Sequence, residues 1–307
     1  MMELIGNTPT IKLKTNSKHS IYAKCEFLNP TASIKDRVAK YIILDLKKNN
    51  ILKNYQPIVE ASSGNMGTSL AAIGCILNHP VYITCPEKTG MMKRSMIENF
   101  GGMLTVCKNT TNTSDVDFYV NKANMIAKEI NGILVNQYDN KLNTQCHYDT
   151  TGQEIVDEFI SQNINLDYFI TVGGSGGTIT GCAKKIKEHF PNVKVIMPDP
   201  KGSIYYDLFY TGRTNKENIH GYKVEGPGNP VFCESMDLSY IDQIIQFTDD
   251  EAINACGTLT KEQGLYCGHS SGANYLIAKR ILDKIDNKAS QNILILLLDS
   301  GMKYNLS

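Results

Sequence analysis

The stretch Asn29-Pro30-Thr31-Ala32-Ser33-Ile34-Lys35-Asp36-Arg37 puts a lysine where an extended segment, 21–27, gives way to the helical pattern of Val38, Tyr41, Ile42 and Leu46. Helix N-termini favour anions, so a cation there is either well solvated or has its charge managed by other means. Condensation of the amine with an aldehyde is one such means, because the product is no longer a free ammonium. The plainer reading is a surface lysine beside Asp36 in the first turn, and an exposed ion pair of that kind says little. The rest of the chain decides between the two.

Downstream, residues 57–61 form a short apolar strand pattern that runs through Ser62-Ser63-Gly64-Asn65-Met66-Gly67 into the small, apolar helical pattern of 68–77. Strand, Ser/Gly/Asn turn and helix make half of a βαβ unit. The row of backbone N–H groups at the helix start is a binding place for a carboxylate or phosphate. The alternation continues with strands at 81–84, 103–106 and 133–136 and helices at 91–100 and 117–130, Gly101-Gly102 standing where a C-cap belongs. Strands and helices alternating in this way imply a parallel sheet with helices on its faces.

A second unit is more telling. After a helical pattern at 147–161, the strand 168–172 enters Gly173-Gly174-Ser175-Gly176-Gly177-Thr178 and then a helix at 179–189. Glycines at a helix start let the backbone approach closely and aim several N–H groups at one dianion, with the Ser175 and Thr178 hydroxyls adding more. A nucleotide fingerprint does not fit: the third glycine of G-x-G-x-x-G falls on Ile179, and no Gly-Lys-Ser/Thr closes the turn as in a P-loop. Further on come a strand at 194–198, the rigid loop Glu225-Gly226-Pro227-Gly228-Asn229-Pro230, and an N-cap at Thr248 opening a helix to Gln263. Gly268-His269-Ser270-Ser271-Gly272-Ala273 precedes a helix at 274–285, and the uninterrupted apolar run 293–298 reads as a buried central strand ending in Asp299-Ser300-Gly301.

Composition limits the classes of function. The 307 residues are 42% hydrophobic and 20% charged, the balance of a soluble globular protein. Lys+Arg and Asp+Glu both total 31, which argues against nucleic acid as the main partner. No run spans a bilayer and the start lacks a signal-peptide pattern, so a cytoplasmic location is expected. The nine cysteines are scattered singly with no C-x-x-C, which reads as reduced, buried thiols and no metal.

On these stretches the chain resembles, from end to end, the fold-type II pyridoxal phosphate (PLP) enzymes, in the branch of cysteine synthase (O-acetylserine sulfhydrylase) and cystathionine β-synthase. Ile5-Gly6-Asn7-Thr8-Pro9 is similar to that branch's start, and Ser33-Ile34-Lys35-Asp36-Arg37 to its cofactor-lysine motif. Ser63-Gly64-Asn65 resembles its substrate-carboxylate loop, Gly174-Ser175-Gly176-Gly177-Thr178 its phosphate cup, Ser270-Ser271-Gly272 its pyridine-nitrogen site and Asp299-Ser300-Gly301 its C-terminal signature. The resemblance implies a two-domain α/β fold, tryptophan synthase β-like, of mostly parallel sheets with helices on both faces. A smaller mobile domain, 36–140, would bind the substrate carboxylate; 1–35 plus 141–307 would hold the PLP phosphate and ring nitrogen. Lys35 would carry PLP as an internal aldimine and then serve as base. Asn65 would meet the cofactor's 3′-oxygen, Gly174 to Thr178 its phosphate, and Ser270 its ring nitrogen. Because a hydroxyl does not keep the pyridine protonated, β-elimination to an α-aminoacrylate is favoured over transamination. Ser62, Ser63, the Met66 amide and Gln137 would bind the substrate carboxylate, and Gly226 and Gly228 would border its side chain.

The reaction implied is β-replacement, O-acetyl-L-serine plus sulfide giving L-cysteine and acetate. The lack of a long N-terminal extension or a C-terminal regulatory module favours this cysteine synthase type, with a homodimer and a serine acetyltransferase partner implied. Three departures bear on substrate: Thr31-Ala32 replaces Gly-Gly, Met66 replaces a threonine, and His269 replaces an apolar residue. They motivate an alternative in which cysteine or a serine ester is the donor, releasing hydrogen sulfide and forming serine, lanthionine or a diaminopropionate derivative. A non-catalytic carboxylate-binding protein and a nicotinamide dehydrogenase are the readings from other classes, and each predicts a colourless protein.

Overall fold

The computed structural model describes residues 1–110, 114–285 and 289–304. In chain order its elements are β1 (Thr10–Lys12), β2 (Ser20–Cys25), α1 (Lys35–Lys48), β3 (Ile58–Ala61), α2 (Asn65–Leu77), β4 (Val81–Pro86), α3 (Met91–Asn99), β5 (Met103–Cys107), α4 (Tyr119–Glu129) and β6 (Ile133–Leu134). There follow α5 (Lys141–His147), α6 (Gln153–Ser161), β7 (Tyr168–Ile170), α7 (Gly177–His189), β8 (Lys194–Pro200), α8 (Tyr205–Thr211), β9 (Gln243–Phe247), α9 (Asp249–Gln263), α10 (His269–Leu282) and β10 (Asn292–Leu297).

Two sheets result. The larger has the order β1-β2-β10-β7-β8-β9 and the smaller β5-β4-β3-β6. Every pairing is parallel except that of the edge strand β1 with β2. The apolar run at the chain's end becomes β10, between β2 and β7, with Ile293 to Leu297 fully buried, as a parallel strand covered on both faces must be. Around the smaller sheet, the α1 stripe of Val38, Ala39, Ile42 and Ile43 shares one core with Ile58, Leu70, Ile73 and Ile83. Helix α2 reaches β4 through Gly67, where a Cβ would stand 2.9 Å from the Ile83 side chain. The N-cap at Thr248 closes a full capping box with Glu251.

The Lys35 helix starts from a tied-down base. Arg37, almost fully buried, grips Glu26 through Nε and Nη2 at 2.7 and 2.8 Å and Glu154 through Nη1 and Nη2 at 2.5 and 2.7 Å. Lys24 adds a contact to Glu154 at 3.0 Å, so two cations and two carboxylates balance. Burial pushes the Glu154 carboxyl up, but the Arg37 hydrogen bonds and charge, with Lys24, hold it down at about 2. A carboxyl lowered on folding stabilises fully above its unfolded value near 4.5, and that stability is lost as pH falls from there toward about 2. The expected contribution is roughly 3 kcal/mol, so Glu154→Gln should be less stable at pH 7 and show a shallower loss of stability on acidification in denaturant titrations.

The helix expected at 147–161 is broken. α5 ends at His147, a π-helical turn spans Tyr148–Gly152, and α6 begins at Gln153. The cause is the crossing with α7: a Cβ on Gly181 would meet the Thr144 carbonyl at 2.3 Å, and one on Gly152 would meet the Lys185 Cβ at 2.8 Å. The backbones therefore touch, and the wider turn carries His147 and Thr151 to one side. No helix among the described residues is long and apolar enough to cross a membrane. No cluster of His, Cys, Asp or Glu among them is suited to a metal ion. Eight cysteines are buried and Cys75 is exposed, all as free thiols.

Candidate active site

One cavity opens beyond the carboxyl ends of β7 and β10, the usual ligand position in a parallel α/β sheet. It is lined by Lys35, Asn65, the 172–176 turn, Thr178, Glu225, Gly226, Ser270, Asp299 and Tyr304, so segments far apart in the chain meet there. Lys35 is not a surface lysine paired with Asp36. Asp36 is fully buried and turns back on Thr31, whose amide donates to it at 2.7 Å and whose hydroxyl donates to its other oxygen. Burial lowers the Lys35 ammonium below its ordinary value, against the raising influence of Glu60, which increases the fraction of free amine. Ala32, just before it, takes a left-handed conformation at φ +58, an unusual choice for a residue with a Cβ. The turn is held by Ile34 N–H to the Leu298 carbonyl at 2.9 Å and Ser300 N–H to the Ala32 carbonyl at 3.1 Å.

The glycine turn is shaped by contact on all sides. At Gly174 a Cβ would stand 2.0 Å from the Gly226 carbonyl oxygen, and at Gly176, with φ +93, it would strike the Met236 backbone at 2.5 Å. At Gly177 it would meet the Asn143 amide oxygen at 2.3 Å. Only glycine allows the chain to pass, and α7 then presents its first N–H groups to the cavity. Ser175 Oγ accepts from Asn143 Nδ2 at 2.9 Å. Thr178 Oγ lies 3.1 Å from His147 Nε2, while His147 Nδ1 lies 3.0 Å from Thr151 Oγ. Burial, then the charges of Lys35 and Arg37, keep His147 neutral. Ser270 stands in the first turn of α10, buried against the same cavity.

Of the residues expected at the substrate carboxylate, Ser62 and Ser63 lie on the adjoining β3–α2 loop, Met66 in the first turn of α2 and Gln137 just beyond β6, all outside the cavity lining. Ser62 Oγ accepts from the Gly64 and Gly67 amides at 3.1 and 3.0 Å, so this hydroxyl shapes the loop. Ser63 is exposed. The Met66 side chain is buried in the core of the smaller sheet; its amide, second in α2, has no intrahelical acceptor. Gln137 is buried, with Nε2 turned to the Ala61 carbonyl at 3.4 Å and Glu60 Oε1 at 3.5 Å. Burial pushes the Glu60 carboxyl up to about 8, against the Gln137 hydrogen bonds and the charge of Lys35. Gly228, with φ +71, donates to the Gly173 carbonyl at 2.6 Å and so ties the 225–230 loop to the glycine turn. His269 packs against the Tyr304 ring, with centroids 5.2 Å apart.

Several neighbours escaped sequence reasoning. Lys93 of α3 reaches across to Glu225 at 2.5 Å and lies 3.9 Å from the centre of the Tyr304 ring, joining the two sheets' segments at the cavity edge. His147, Asn143 and Glu60 carried no motif; Lys303 and Tyr304, four and five residues after Asp299, had a fixed spacing to notice.

A desolvated lysine, an anion cradle of amides and hydroxyls, and a hydroxyl at a helix start around one cavity define a site for an aldehyde cofactor with an anionic tail. The residues present fit pyridoxal phosphate. The family profile described as pyridoxal-phosphate dependent enzyme matches residues 1–299, and the chain belongs to this family. It is 34% identical over 313 residues to a cystathionine beta-synthase of Apis mellifera, covering 100% of this chain and 60% of that protein. To a cysteine synthase of Buchnera aphidicola subsp. Schizaphis graminum it is 33% identical over 305 residues, covering 98% of this chain and 92% of that one. The chain thus spans 54–62% of the length of the cystathionine beta-synthases it is compared with. Among solved structures, a hydrogen sulfide-producing enzyme from Fusobacterium nucleatum superposes with a TM-score of 0.88 at 30% identity, covering 99% of this chain and 98% of that one.

Proposed function

We propose that the chain catalyses β-replacement on a serine derivative, O-acetyl-L-serine plus sulfide giving L-cysteine and acetate. The observation that carries this is a desolvated Lys35 and a buried Ser270 lining one cavity, where the Ser270 hydroxyl would face the ring nitrogen, while the Asp299 carboxylate in the same cavity is committed to Asn65 and Tyr304. Bound there, pyridoxal phosphate supplies an electron sink for the α-carbon. Lys35 would hold it and then take the α-proton, which the lowered amine favours. Gly174 to Thr178 would hold the phosphate. The amides opening α2, with Ser63 and Gln137, would take the substrate carboxylate, and Gly226 and Gly228 would wall the side-chain space. Gln137 would have to turn its amide from Glu60 to do so, and in this reading 36–140 moves as the smaller unit against 1–35 plus 141–307. The same reading includes a homodimer.

A second reading has cysteine as donor with release of hydrogen sulfide; similarity to the hydrogen sulfide-producing enzyme of Fusobacterium nucleatum favours it. Purified protein with PLP is given either O-acetyl-L-serine and sulfide or L-cysteine alone, and products are read by mass spectrometry. Cysteine formation at least about tenfold faster than sulfide release from cysteine is expected; the reverse order replaces the first reading with the second, and neither product sinks both.

A further inference from the structure

Asp299 occupies a crossing of three segments. Its backbone pairs with Ser33 just before Lys35, and its carbonyl accepts from Gly268 at the start of α10 at 3.0 Å. Its side chain, 2% exposed, accepts through Oδ2 from Asn65 Nδ2 at 2.7 Å and from the Tyr304 hydroxyl at 2.5 Å. On the other side of the same amide, Lys303 Nζ donates to Asn65 Oδ1 at 3.1 Å. Asn65 opens α2 of the smaller sheet, whereas all three of its neighbours belong to the chain's last segment.

The two charges settle which way the amide points. With nitrogen toward the carboxylate and oxygen toward the ammonium, both ends make charge-assisted bonds; the flipped amide would set N–H against ammonium and carbonyl against carboxylate. The carboxylate has little freedom to rearrange, since Gly268 packs so closely that a Cβ there would stand 2.3 Å from Asp299 Oδ1. Burial lowers the Lys303 ammonium to about 8 even with Asp299 and Asp36 nearby, so it keeps most of its charge at pH 7. An amide nitrogen carries two hydrogens, and only one is used by Asp299.

We infer that Asp299 and Lys303 are positioning residues that lock the Asn65 amide so that an N–H, and not the carbonyl, faces the cavity where the cofactor's 3-oxygen would lie. This rests on the reading in which Asn65 meets that oxygen. A locked donor favours the ionised 3-oxygen, an interaction worth about 1.5–3 kcal/mol for a charged acceptor, which corresponds to roughly ten- to 150-fold in affinity.

The test is a cycle between side chain and ligand. Dissociation constants of the cofactor-stripped chain are measured for pyridoxal phosphate and for its 3-deoxy analogue, in the native protein and in Asn65→Ala, Asp299→Asn and Lys303→Met. The native protein should prefer the 3-oxygenated ligand by about tenfold or more, and Asn65→Ala should remove that preference. Asp299→Asn and Lys303→Met should each cut the preference at least about threefold while leaving affinity for the 3-deoxy analogue within a factor of about two. If Asn65→Ala leaves the preference intact, the assignment of Asn65 is wrong and the inference falls with it. If Asn65→Ala removes it but the other two variants retain it, or weaken both ligands equally as a merely structural defect would, the inference alone is overturned.

Discussion

Lys35→Ala is expected to leave a folded, colourless protein whose turnover is lower by about a thousandfold or more, since both the tether and the base are lost. The native chain should show the visible absorption of bound cofactor, and borohydride reduction should fix a pyridoxyl group at residue 35, read by peptide mass spectrometry. The fold should survive because α1 is anchored two residues further on, where Arg37 is clamped by Glu26 and Glu154. Removing a desolvated amine also removes a cost of burial. Retained turnover and colour in the variant, or a label on another lysine, would contradict the assignment.

Gly174→Ala has the second large effect. Its Cβ would lie 2.0 Å from the Gly226 carbonyl oxygen, and a backbone atom on either side must shift. Overpacking of this kind costs about 1–3 kcal/mol, and because the shift opens the anion cradle it should appear as a roughly five- to 150-fold weaker hold on pyridoxal phosphate. Gly173→Ala is the control: there the Cβ would meet the ends of Met197 and Met236 at 2.5 and 2.6 Å, which can swing aside. Equal losses in the two variants would show that the cup is not shaped by the contact with Gly226.

The order of elements was legible because each has a local cause. Strand patterns at 57–61 and 168–172, each running through small polar and glycine residues into a helix, mark βα turns whatever the rest of the chain does. The apolar run before Asp299 could only be a strand buried on both faces. The π turn at Tyr148–Gly152 was invisible, since helical periodicity continues through it and its cause is a helix that passes alongside, α7. The edge strand β9 and the short helices α5 and α8 also went unread, each having only five to seven residues in which to show a pattern.

Around the site the division is similar. The lysine, the glycine turn and the hydroxyls stand in dense local motifs, and the resemblance of those motifs, taken in order, to a known family implied a phosphate-bearing aldehyde cofactor. What those residues do to one another was settled only by folding. Asp36 turned from a solvent partner of Lys35 into a buried acceptor for Thr31. The Met66 thioether went to the core. The Ser62 hydroxyl went to its own loop. Lys93, Asp299, Lys303 and Tyr304 came together around Asn65 from 28 to 239 positions away. Sequence by itself determined which chemistry the chain carries, because backbone turns and helix starts are written within a few residues. Tertiary structure decided how far each group is desolvated and which charge it faces, because those depend on segments brought near only by packing.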